Sequence, residues 1–149
     1  MVDVLSRRQT ILAVLPSRED RNSLNSILKG SNWKIRYVRS SRPGRLATDL
    51  GLFGAVLTDA YLADGRTWKD VLREIEGTPN PPPLIVTDRL ADEALWAEVL
   101  NLGGYDVLAK PFDEKEVLHA VTMACGFRRK HAASFDPHAV PQNARWSVA

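Results

Sequence analysis

Cysteine is nearly missing from this chain. Its 149 residues include one, Cys125, so no intrachain disulfide can form and no cysteine-rich metal site exists. Histidine is also sparse, and His119, His131 and His138 are scattered without metal-ligand spacing. No apolar stretch approaches the roughly 20 residues that span a bilayer. The segment Met1-Val2-Asp3-Val4-Leu5-Ser6-Arg7-Arg8 has no apolar core of signal-peptide length. Charge of one sign is not in excess, since the formal net charge is +2, too small to point to direct nucleic-acid binding. There is no internal repeat, glycine-rich phosphate loop, nucleophile elbow or zinc motif. A cytoplasmic protein of one domain fits these absences.

What is present is ordinary in amount and ordered in pattern. Hydrophobic residues make up 44% and charged residues 26%, enough for a normal core. After a short leader over residues 1–9, Ile11 to Leu15 is a continuous apolar run, the signature of a strand covered on both faces. Ser17, with an acid three residues later, reads as a helix N-cap, and Leu24, Ile27 and Leu28 continue at helical spacing to Gly30. Trp33 to Tyr37 alternates apolar and basic residues, as an edge strand does. Pro43 to Leu50 reads as a weak helix and Phe53 to Thr58 as a third strand. Trp68, Val71, Leu72 and Ile75 mark another helix, and Leu84-Ile85-Val86 a fourth strand. Ala91, Leu95, Val99 and Leu102 mark a helix ended by Gly103-Gly104. Tyr105 to Ala109 is the fifth strand, and Asp113 caps a last helix carrying Val117, Val121 and Cys125.

Five strands alternating with five helices predict a parallel sheet with helices on both faces and right-handed crossovers. The polar strand ends then gather at the carboxyl edge of the sheet, where such folds place their sites. Three of these ends carry chemistry. Asp59 ends the third apolar run, Thr87 the fourth, and Lys110-Pro111 the fifth, spaced by 28 and 23 residues. A carboxylate, a hydroxyl and an amine meeting there suit a phosphoryl group, whose transfer needs positioning and neutralisation of charge.

In these residues, together with Asp64-Gly65 after the third strand and Phe112 after Pro111, the chain resembles the receiver domain of bacterial two-component response regulators. The resemblance spans roughly residues 9–128. It implies a flavodoxin-like three-layer (βα)5 fold with the five-stranded parallel sheet in the order 2-1-3-4-5. It also implies that Asp59 accepts a phosphoryl group, that Lys110 and Thr87 contact it, and that the Lys110–Pro111 peptide is cis. The implied upstream partner is a histidine kinase or phosphotransfer protein, and the downstream partner a protein effector; a second copy of the chain is a further candidate. Such a domain is a phosphoacceptor, not an enzyme acting on a separate substrate.

The chain departs from that family at the same site. Two acids at the end of the first strand normally hold Mg²⁺ with the phosphoacceptor, and here those positions are Leu15 and Pro16. Asp59 is left as the metal ligand, so Mg²⁺ is expected to bind weakly. Glu19, Asp20, Asp64 and Asp88 are the nearby acids, and Asp88 either enters the site or starts the next helix. The position of the family's switching aromatic is Val107. Tyr105, two residues earlier, is expected on the same face by strand alternation, and Ala63 replaces a proline usual in the loop after the phosphoacceptor.

Two readings lead, and a third stands behind them. One is a stand-alone receiver phosphorylated on Asp59. The other is a pseudo-receiver that signals by protein contact without Mg²⁺-dependent phosphorylation. A third, from another class, is a flavodoxin-like enzyme or ligand-binding domain, against which Pro16 stands where a phosphate loop would begin. Residues 129–149 read as a flexible tail. About twenty residues cannot hold a helix-turn-helix domain, so output is expected to pass through a partner. Trp68 and Trp96 are expected to pack in helices, with Trp96 a candidate partner contact. Arg128-Arg129-Lys130 is expected to complement the dipole of the last helix.

Overall fold

The computed structural model describes residues 10–38, 52–63 and 65–132, the last five by backbone alone. Five strands form one parallel sheet in the order β2-β1-β3-β4-β5: β1 (Thr10–Val14), β2 (Lys34–Tyr37), β3 (Ala55–Asp59), β4 (Leu84–Asp88) and β5 (Asp106–Ala109). The described helices are α1 (Arg18–Leu28), α2 (Trp68–Glu76), α3 (Glu93–Leu102) and α4 (Glu114–Ala132). The helix expected over Pro43 to Leu50 lies outside the described residues, as does the tail from 133 onward. Helix α4 continues past residue 128 to Ala132.

Alternation along the strands divides the core in two. Leu12, Val14, Val56, Leu84, Val86 and Val107 face α2 and α3, where they pack with Trp68, Val71, Leu72, Ile75, Trp96 and Val99. Ile11, Ala13, Ala55, Leu57, Ile85 and Leu108 face α1 and α4, where they meet Leu24, Leu28, Val117 and Val121. Each fully buried aliphatic side chain of this kind contributes about 1.5–3 kcal/mol relative to exposure. Coverage on both faces explains why four of the strands read as unbroken apolar runs. The edge strand β2 instead alternates exposed and half-buried residues.

Helix ends follow local chemistry. Ser17 Oγ accepts from the Asp20 amide at 3.4 Å at the start of α1. Thr67 and Asp70 form a reciprocal capping box on α2. Asp92 caps α3, and Gly103, at φ 113°, ends it in the left-handed region that favours glycine. Gly104 follows because a Cβ there would collide with Val99 Cγ1.

Two expectations are corrected. Trp96 is not a surface anchor; it is 8% exposed and part of the core. Tyr105 does not share a face with Val107. It precedes the first residue of β5, where strand alternation does not apply, and its ring packs in the opposite core layer, 5.4 Å from the Phe127 ring.

Candidate functional site

The pleat of the sheet sets the site. Asp59 lies two residues beyond Leu57, Thr87 two beyond Ile85, and Lys110 two beyond Leu108, so all three follow residues that face α1 and α4. Asp59 and Thr87 are register partners across β3 and β4, and the Lys110 amide bonds the Asp88 carbonyl at 3.1 Å. The Lys110–Pro111 peptide is cis.

The three residues singled out in the sequence do converge. The buried Thr87 hydroxyl donates to Asp59 Oδ1 at 3.2 Å, and Lys110 Nζ lies 3.0 Å from the same oxygen. Among the described residues both contacts fall on Oδ1, and Oδ2 is the oxygen that could meet an incoming group. The loop after Asp59 is anchored separately. The Ala60 amide bonds the Thr87 carbonyl, the Trp68 amide bonds the Ala60 carbonyl, and Gly65 turns at φ 79°.

A fourth residue, Asp20, completes the constellation. Its carboxylate takes no part in a capping box. Instead Asp20 Oδ2 lies 2.8 Å from Lys110 Nζ, so the ammonium is held between the first turn of α1 and the end of β3. Side-chain exposure is 9% for Lys110, 13% for Asp20 and 15% for Asp59, low enough that solvent screens these pairs little. Burial alone would lower the Lys110 pKa; hydrogen bonds and charge from Asp20 and Asp59 outweigh it and hold the amine above its ordinary 10.5. Lys110 is therefore a fixed positive charge at any physiological pH. The sequence signal for Asp20 was its place in the first turn of the helix that follows β1, above the carboxyl edge. There it reads both as a capping acid and as one of the four acids near the site.

The end of β1 has a different role. Leu15 is 1% exposed and belongs to the core between the sheet, α1 and α4. The carbonyls of Leu15 and Pro16 accept from Arg21 Nη1 at 2.7 and 2.8 Å. The Tyr37 hydroxyl lies 3.0 Å from the Arg21 carbonyl and 2.8 Å from Asn25 Oδ1, and its single proton is shared between them. Asp88 ends β4 and lines a surface groove with Tyr61, Thr67 and Leu90. Asp64 lies outside the described residues.

Mg²⁺ requires near-octahedral oxygen ligands at about 2.0–2.1 Å. Among the described residues, no group of three His, Cys, Asp or Glu side chains is placed to hold a metal ion. Among the described residues the carboxylates that meet here, Asp20 and Asp59, both contact Lys110, and the Leu15 and Pro16 carbonyls accept from Arg21. This donor set does not fit the ion.

Solved structures with the same architecture decide the fold. The signal receiver domain of an HD domain-containing protein from Pseudomonas fluorescens Pf-5 is 22% identical, with a TM-score of 0.72 over 86% of this chain and 94% of that one. A signal receiver domain from Vibrio parahaemolyticus is 19% identical, with a TM-score of 0.74 over 87% and 98%. This chain has the receiver-domain fold. The receiver domain of a sensor histidine kinase from Pseudomonas aeruginosa PAO1, with magnesium coordinated in its active-site cleft, is 24% identical, with a TM-score of 0.67 over 79% and 97%. No family model and no curated protein matches the sequence. In receiver terms, Asp59, Thr87 and Lys110 stand at the strand ends the resemblance implies, and Leu15 and Pro16 interrupt the pattern. No described helix is long and apolar enough to cross a membrane.

Proposed function

We propose that this chain is a response-regulator receiver domain in phosphorelay signalling that accepts a phosphoryl group on Asp59. The observation that supports this most directly is the placement of Thr87 Oγ1 and Lys110 Nζ on one oxygen of Asp59. In the step we envisage, Oδ2 attacks phosphorus in line with the leaving group. The O–P bond to Asp59 forms as the donor's P–N or P–O bond breaks, and the donor histidine or carboxylate leaves with the bonding pair. Lys110 offsets charge on the phosphoryl oxygens, and Thr87 supplies a hydrogen bond. The donor would be a phosphorylated histidine of a kinase or phosphotransfer protein, and output would pass to a protein effector. The domain would catalyse no reaction on a free substrate.

A pseudo-receiver that signals by contact alone is the second reading. Its support is the end of β1, where a buried leucine and an arginine-capped turn replace the acid pair.

Acetyl phosphate tests the first reading. The full chain, with Mg²⁺ and in parallel with a chelator, should gain the mass of one phosphoryl group, and Asp59→Asn should gain none. A wild-type chain that gains no mass under either condition would remove phosphorylation and leave the pseudo-receiver.

A further inference from the structure

The placement of Asp20 has consequences beyond the phosphoacceptor triad. Its carboxylate comes from α1, not from a strand end, and reaches Lys110 at 2.8 Å. Ser17 Oγ accepts from the Asp20 amide, while the Asp20 carboxylate is directed to Lys110. Two carboxylates from different elements thus grip one ammonium nitrogen by charge-assisted hydrogen bonds in a largely dehydrated setting. A small cation held between two carboxylates is the arrangement a divalent ion would adopt. Here the nitrogen of Lys110 fills that position.

We infer that the Lys110 ammonium is the resident cation of this site, held between Asp20 and Asp59 where a divalent ion would otherwise sit, with Asp20 as the residue that positions it. A divalent ion approaching the wild-type site must displace an ammonium bound at two points and held by the fold, and it meets like charge as it does so. Removing the ammonium leaves two carboxylates around a gap, which is the electrostatic condition for metal binding. On the proposed phosphoryl-acceptor function, the same lysine would make uptake independent of divalent ions.

Mn²⁺ is a sensitive probe, because free and bound ion are distinguished by paramagnetic resonance. The full wild-type chain should show no saturable binding of Mn²⁺ at millimolar concentration. Lys110→Met, which keeps most of the side-chain stem, should bind at least about tenfold more tightly. Adding Asp20→Asn to it should abolish the gain. Circular dichroism establishes that each variant is folded. A folded Lys110→Met that gains nothing overturns the inference, as does wild-type binding that Asp20→Asn removes.

Positioning by Asp20 has its own readout, which does not depend on the lysine variant folding. Lys110 should be acetylated severalfold faster in Asp20→Asn than in wild type, as followed by peptide mass mapping, and Asp20→Glu should restore protection. Equal labelling of Lys110 in Asp20→Asn and wild type would refute the positioning role. The two proposals separate cleanly. Phosphoryl uptake that requires Mg²⁺ keeps the proposed function and defeats this inference. The predicted metal pattern without any uptake keeps this inference and defeats that function.

Discussion

Thr87 Oγ1 donates to Asp59 Oδ1 at 3.2 Å, and the two residues are register partners on neighbouring parallel strands. Their contact therefore needs no loop rearrangement; the β-ladder holds it. Thr87→Val keeps the shape and the strand preference while deleting the hydroxyl. Uptake of phosphate from acetyl phosphate should slow roughly 10- to 100-fold, since a hydrogen bond to a charged group contributes about 1.5–3 kcal/mol. A time course of intact mass checks this, and an unchanged rate would exclude Thr87 from the reaction.

Restoring the missing acid pair should fail at its first position. Leu15 is 1% exposed and packs in the core with Ile11 and Leu24, so Leu15→Asp buries an uncompensated carboxylate. The expected loss is about 3–5 kcal/mol in urea unfolding. Pro16 is exposed, and Pro16→Asp should cost less than about 1 kcal/mol.

Two glycines should respond in opposite directions to alanine. At Gly104 a Cβ meets Val99 Cγ1 and the Val99 backbone, and Gly104→Ala should destabilise by about 1–3 kcal/mol. Gly126 lies inside α4 with open space around it, so Gly126→Ala should stabilise by about 0.5–1 kcal/mol. Thermal melts of both variants beside wild type read the two signs directly.

Tyr37 gives a pH-dependent signature. Burial, opposed in part by the Arg21 charge, pushes its phenol up to about 12. A folded-state pKa above the unfolded value of 10.0 means the stabilisation is complete below that pH and is lost as pH rises through about 12. The phenolate can no longer donate to the Arg21 carbonyl or to Asn25. The stability advantage of wild type over Tyr37→Phe should therefore shrink between those two pH values, which urea titrations of the pair would measure.

The strands buried on both faces were legible in the sequence, because two-sided coverage leaves unbroken apolar runs whose ends are sharply polar. Asp59, Thr87 and Lys110 were legible for the same reason. Asp20 was legible only as one of four acids near the site, because an acid in the first turn of a helix has a sufficient local explanation in capping and dipole effects. Only tertiary placement shows that its carboxylate turns away from the helix toward Lys110. Tyr105 misled through a boundary: one residue outside β5, the rule of alternation gave it the wrong face. The lost acid pair was visible, but the absorption of Leu15 into the core and the hold of Arg21 on its carbonyl were not.

Asp20 and Lys110 are 90 residues apart in the chain, yet their contact is 2.8 Å. Closing so long a loop carries an entropy cost that is recovered only once the intervening strands are paired. The lysine clamp thus depends on β5 having docked on β4 and β4 on β3. Until β5 has docked on β4, Asp59 has no ammonium beside it. A chain in which β5 has not docked presents Asp59 without the ammonium that lies beside it here, so the geometry of this site reports that β3, β4 and β5 have come together under α1.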